Sequence, residues 1–174
     1  MLGFAEQRGF TLIELLVVVV LLGITAAIAL PNFGRMIDRN QHSSAANDFS
    51  GLLNFARSEA IRRGNSIVVF PRDTGNTNAG YGVCVGNALA ACKNNTASAE
   101  QLLRTTNNLP GTISISLNSS PSGASDLSFR GNGMVSAGEF IYRICGKAGT
   151  EAIDVRINAG GQIRMNSDTN VTCS

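Results

Sequence analysis

Tryptophan is absent and aromatic residues make up only 6% of the 174 positions, so the chain lacks the stacking platforms on which single-stranded nucleic acid is held. Histidine occurs once, at His42. A single imidazole assembles no His-rich metal centre and leaves the many serines without the general base a nucleophile requires. No Cys-x-x-Cys pair occurs among the four cysteines, which argues against a zinc site. The net charge of +2 is too small to mark a nucleic-acid partner by itself. The glycines lack the strand, turn and helix context of a phosphate-binding loop, and no internal repeat is evident. These absences leave no expected catalytic residue, no metal and no cofactor.

What the chain does have is one long apolar run. Phe10 to Leu30 carries a single ionisable residue, Glu14, and has the length of roughly 20 residues that a bilayer-spanning helix needs. A carboxylate at that depth is costly unless partnered, and by default it marks function. Met1 to Gly9 is short and polar and precedes the apolar run, unlike a secretory signal that is lost together with its own apolar core. A cut between Gly9 and Phe10 would leave an α-amine on Phe10 one helical turn from Glu14. Amine and carboxylate could then neutralise each other within one subunit or between neighbours.

The junction Gly9-Phe10-Thr11-Leu12-Ile13-Glu14, followed later by Pro31, resembles the N-terminus of type IV pilins and of type II secretion pseudopilins. The resemblance implies cleavage after Gly9 by a prepilin peptidase, N-methylation of Phe10, and a contact from Glu14 to the Phe10 amine of an adjacent subunit during fibre assembly. It further implies residence in the bacterial inner membrane, single-pass with a periplasmic C-terminal head, before transfer into a fibre at the cell surface. Expected partners are other minor pilins and the major pilin, with the prepilin peptidase as processing enzyme.

Beyond Leu30, Pro31 removes one helical donor and is expected to kink or loosen the helix, which then resumes. Phe33, Ile37, Ala45, Phe49, Leu52, Leu53, Ala56, Ala60 and Ile61 recur at the spacing of an amphipathic helix, with Arg39, Asn40, Gln41, His42, Asp48, Arg62 and Arg63 on other faces. Gly64 supplies a stop. Strand-type runs follow at Ser66 to Phe70, Tyr81 to Val85, Thr112 to Leu117, Leu127 to Arg130, Phe140 to Cys145, Ala152 to Asn158 and Gln162 to Met165. Asp73 to Gly80, Lys93 to Ala99 and Asn118 to Ser125 read as loops. One long helix followed by strands is an α+β arrangement, in which the helix buries its apolar face against an antiparallel sheet. The expected organisation is a leader at 1–9, a membrane-spanning or fibre-core helix at 10–30, an amphipathic half at 31–64 and a β-rich head at 65–174.

Leu53 to Ile61, the Phe140 to Cys145 strand, the Gly160-Gly161 turn and the terminal Cys173 are similar to the FimT/FimU branch of minor pilins, close to H-type pseudopilins. That likeness implies a type IV pilin-like fold and a minor pilin near the tip of a pilus. An H-type pseudopilin of type II secretion is the alternative. Arg57 and Glu59 fit equally a solvated helix face or a subunit contact.

Cys84, Cys92, Cys145 and Cys173 all lie in the part expected to face an oxidising periplasm. Three pairings are open. The favoured one joins Cys84 to Cys92 across a short loop and Cys145 to Cys173 between a strand and the tail.

Ile153, Val155 and Ile157 alternate with Asp154, Arg156 and Asn158, and Ile163 and Met165 alternate with Gln162 and Arg164. Placing both apolar sets on one face puts Ile157 opposite Ile163 and makes Ala159-Gly160-Gly161 a three-residue loop. Arg156 then stands opposite Arg164, where like charges repel unless Asp154 or an anionic ligand intervenes. Some FimT-like relatives bind DNA through a Gly-Arg-x-Arg motif. The matching residues here are Gly161-Gln162-Ile163-Arg164, with an amide in place of the first guanidinium, so DNA is the runner-up and not the favoured partner.

Overall fold

A computed structural model describes residues 10–148 and 150–173 of the chain. The expected leader, including Gly9, lies outside the described residues. The elements run α1 (Leu12–Arg63), β1 (Ile67–Pro71), β2 (Tyr81–Val85), α2 (Leu89–Lys93), β3 (Leu102–Thr105), β4 (Ser114–Ser119), β5 (Leu127–Phe129), β6 (Phe140–Cys145), β7 (Glu151–Ile157) and β8 (Ile163–Thr172). The chain divides into two compact units, with the division between Ile37 and Asp38, inside α1.

The first unit begins with a capped helix. Thr11 Oγ1 accepts a hydrogen bond from the Glu14 backbone N–H at 3.2 Å, so Thr11-Leu12-Ile13-Glu14 has the Thr-x-x-Glu spacing of a capping box. Helical structure is continuous through residues 31 and 32. Thr25 turns its hydroxyl back onto the Leu21 and Leu22 carbonyls at 3.1 and 3.0 Å, which hides a polar group in an apolar stretch. Phe33 and Ile37, expected on the packing stripe, are 61% and 53% exposed. The spacing is helical there, but no apolar surface covers those positions.

In the second unit the packed stripe consists of Ala45, Ala46, Phe49, Leu52, Leu53, Ala56 and Ala60, all buried. Alanines in this series let backbone approach closely, while Phe49, Leu52 and Leu53 supply the large apolar area. Gly64, at φ +65°, ends the helix in the left-handed conformation that favours glycine. Two four-stranded antiparallel sheets follow, ordered β3-β2-β1-β5 and β4-β6-β7-β8. One core joins α1 to both: Ile67, Val69, Val83, Leu127 and Phe129 from the first sheet, and Ile115, Phe140, Tyr142, Ile144, Val155 and Ile157 from the second. Phe49 and Tyr81 lie 4.8 Å apart by ring centroid, and Phe49 and Tyr142 lie 5.0 Å apart edge to face, at the junction of all three layers.

The first sheet is covered on its other face as well. Phe70, Cys84, Ala88 and Cys92 form a second apolar cluster with Leu89, Ala97 and Leu102. This accounts for β1 reading as an unbroken apolar run rather than an alternating one. Gly82 is required beneath Phe70, because a Cβ there would lie 2.6 Å from the ring.

Three elements depart from the expected reading. Part of the stretch read as loop from Lys93, together with Leu89 onward, is helix α2, and Leu102–Thr105 is a strand. β8 continues to Thr172, well past Met165, although its polar sequence gives no apolar alternation there.

Candidate functional site

The first unit presents Phe10, 84% exposed, followed by exposed Leu12, Ile13, Leu15, Leu16 and the valines 17–20. Glu14 is also exposed, on the first turn of the helix. Among the described residues this is one helix long and apolar enough to cross a membrane. Its start therefore combines a carboxylate, a Thr cap and an apolar surface with no cover of its own.

In the second unit, Arg57 is half-buried and donates from Nε to the Gly133 carbonyl at 3.1 Å and from Nη2 to the Gly160 carbonyl at 3.3 Å. It pins two turns to the helix, so its role is internal rather than that of a solvated face. Gly161, at φ +76°, sits so close to the Gly133 carbonyl that no side chain fits. Glu59 accepts from Arg62 at 2.7 and 2.9 Å and from Arg63 at 2.7 Å. Hydrogen bonds from Arg62 first and Arg63 second hold its carboxyl down to about 2. Arg62 is pushed upward by the same contact.

His42, expected on an outer helix face, is buried, and its Nε2 lies 2.9 Å from the Ile144 carbonyl oxygen. A carbonyl only accepts, so this nitrogen carries the proton and donates. Burial pushes the Tyr81 hydroxyl up to about 12 and raises that of Tyr142 further, helped by nearby Tyr81 and Asp126. Neither phenol is a proton donor in the neutral range.

The four cysteines form two bridges, Cys84 to Cys92 and Cys145 to Cys173. The first closes the loop holding α2, which Lys93 also ties to Asp126 through a 2.6 Å ion pair. The second fastens the end of the chain to β6. Among the described residues, no group of three or more His, Cys, Asp or Glu is placed to hold a metal.

In the second sheet the β7–β8 register pairs Ile157 with Ile163 on the core side and Arg156 with Arg164 on the outer face. Asn158 and Gln162 close the turn through backbone and side-chain hydrogen bonds. Asp154 is not the solvent-facing residue its alternation suggests: it is 1% exposed and bound by Arg143 in a two-point pair at 2.9 and 3.0 Å. Arg143 stands directly across on β6, and this cross-strand neighbour makes burial of the carboxylate tolerable. Arg156 reaches Asp154 only at 3.9 Å, and Arg164 has no ion-pair partner among the described residues.

A cleft of about 450 Å³ lies between α1 and the β3–β4 segment, lined by Asp48, Phe49 and Leu52 on one wall and by Arg104, Asn107 and Leu109 on the other. The Arg104 guanidinium stands 5.4 Å over the Phe55 ring.

The family model described as type II transport protein GspH matches residues 45–161, and the prokaryotic N-terminal methylation motif matches residues 5–30. A fimbrial protein of Pseudomonas aeruginosa is 46% identical over 70 residues, 39% of this chain and 45% of that one. The type IV major pilin protein PilA of Myxococcus xanthus is 45% identical over 53 residues, 30% of this chain and 24% of that one. The chain thus spans less than half the length of these curated relatives. In fold it is similar to the type IV minor pilin FimU of Pseudomonas aeruginosa, with TM-score 0.60 and 22% identity over 78% of this chain and 94% of that one. It is similar also to the minor pseudopilin EpsH of the Vibrio cholerae type 2 secretion system, with TM-score 0.51 and 15% identity over 73% and 97%. These relatives are pilins and pseudopilins rather than enzymes. With the GspH model covering most of the second unit and the methylation motif covering the apolar start, the chain belongs to the GspH family of minor pilins and pseudopilins.

Proposed function

We propose that this protein is a minor pilin incorporated near the tip of a type IV pilus, where it helps to initiate assembly and connects tip subunits to the major pilin fibre. The observation that carries this reading is Glu14, one turn from Phe10, at the start of a helix whose large apolar side chains from Leu12 to Ile37 are exposed. Such a surface needs lipid or neighbouring helices, and its carboxylate needs an amine. Cleavage after Gly9 would supply that amine on Phe10. Before assembly the 10–30 helix holds the chain in the bacterial inner membrane as a single pass, with residues 65–174 in the periplasm. Because Glu14 is present, another subunit can sit above this one, which favours an internal adapter over the terminal cap.

The match of residues 45–161 to the GspH model supports a second reading, an H-type pseudopilin of type II secretion. It shares the same N-terminal chemistry and differs in partners. Mass spectrometry of fibres sheared from the native cell separates the two. An N-methylated peptide beginning at Phe10, recovered with a major pilin and other minor pilins, is the result expected for the pilus. Absence from the fibres, with the processed chain crosslinked to secretion pseudopilins, would transfer it to type II secretion. An intact Met1 would overturn both. The facing pair Arg156 and Arg164 keeps a third reading, DNA capture for natural transformation, behind these two.

A further inference from the structure

The two sheets have four edge strands, and three are protected. β5 is three residues long and is bordered by the segment carrying Val135, with the Ser136 N–H donating to the Ser128 carbonyl at 2.9 Å. The Ile115 N–H of β4 donates to Thr77 at 3.2 Å, and the Asn78 amide donates to the Ile113 carbonyl beside it. β3 is four residues long and is broken by a register shift against β2, and its Arg104 is a charge on the edge itself. Bulges, short strands and covering loops are devices that keep sheet edges from pairing with another chain.

β8 has none of these from Ile163 to Ser167. Asn158 donates to the Gln162 carbonyl, so the backbone groups of Arg164 and Asn166 face β7 and those of Ile163, Met165 and Ser167 face outward. No backbone partner for these outward groups occurs among the described residues. Met165 is 42% exposed on the core-side face, and Arg164 is exposed on the other, beside Arg156 and with no carboxylate of its own.

We infer that β8 is a docking edge for an extended polypeptide segment of a second protein, one that alternates an acidic residue with apolar neighbours. A strand added antiparallel to β8 would bond to the Ile163, Met165 and Ser167 backbone. The residue opposite Arg164 would then fall in a non-hydrogen-bonded pair, where side chains approach most closely. A carboxylate there relieves the repulsion between Arg156 and Arg164, and the residues flanking it cover Ile163 and Met165. Charge and apolar pattern therefore select the same register. This goes beyond the fibre reading and does not depend on which fibre the protein joins.

The test uses the full chain in detergent micelles and the end-capped peptide Ser-Thr-Val-Glu-Val-Thr-Ser, followed by amide hydrogen exchange. The expected result is slowing of the Met165 and Ser167 amides by at least about tenfold at saturating peptide. A peptide with lysine at the centre should give no slowing, and Arg164→Glu should invert that preference. Met165→Pro removes an outward N–H without touching the β7 ladder, so it should abolish the effect while Val155 keeps its native exchange rate. Equal slowing by both peptides, no slowing by either, or displacement of the acidic peptide by a short DNA duplex would overturn the proposal.

Discussion

The imidazole of His42 on α1 donates to the carbonyl oxygen of Ile144 on β6, 2.9 Å away and 102 positions later in the chain. It is the one histidine in the sequence, and it joins the helix to the second sheet inside the core. Replacing it with alanine should lower stability by about 1–2 kcal/mol, through the lost hydrogen bond and the space left behind. Urea unfolding of the wild type and His42→Ala, compared at one pH, measures this.

Arg57 and Gly161 should act as one unit. Any side chain at 161 would strike the Gly133 carbonyl and occupy a positive φ, so Gly161→Ala should cost about 2 kcal/mol or more. Arg57→Ala should leave both turns in place but looser, seen as faster exchange of the Val135 and Gly161 amides. Combining the two changes should cost less than their sum, because each disrupts the same contact.

Glu59 sets a pH dependence with a defined sign. Its carboxyl is held down to about 2 from an ordinary 4.5, so the stabilisation it gives is complete above the ordinary value and disappears as pH falls toward 2. Unfolding of wild type and Glu59→Gln should therefore differ at pH 6 and converge in strong acid. A stability difference that grew on acidification would contradict the assignment.

Glu14→Val should leave insertion of the N-terminal helix intact or improved, since it removes a charge from an apolar stretch. Incorporation into fibres should be lost. Comparing the membrane fraction with the sheared fraction in cells expressing either chain reads both effects, and normal incorporation of the variant would remove Glu14 from assembly.

Much of this architecture was legible because it rests on local periodicity. The alternation across Ile153 to Met165 and the length of the Ala159 to Gly161 loop were enough to place Ile157 opposite Ile163 and Arg156 opposite Arg164. What stayed hidden depends on neighbours distant in sequence. Asp154 reads as an exposed acid until Arg143 is known to stand across from it. His42 reads as a polar helix residue until β6 closes over it. Phe33 and Ile37 fit the helical stripe and stay exposed, since spacing specifies a face without specifying what covers it. The strand at Leu102–Thr105 has no alternation to announce it, and its register is irregular. The Thr11 cap has its signal in the Thr-x-x-Glu spacing of Thr11 and Glu14.

The two disulfides also set how far the head can stretch. Cys84 and Cys92 are 8 positions apart and Cys145 and Cys173 are 28 apart, and chain inside a closed bridge cannot pay out under tension. At about 3.4 Å per extended residue this withholds about 120 Å of length. A subunit pulled between its helix and Cys173 could surrender β1 to β5, yet β7 and β8 would remain a closed loop. The segment that would yield last under load is therefore the one bearing Arg156, Arg164 and the open β8 edge.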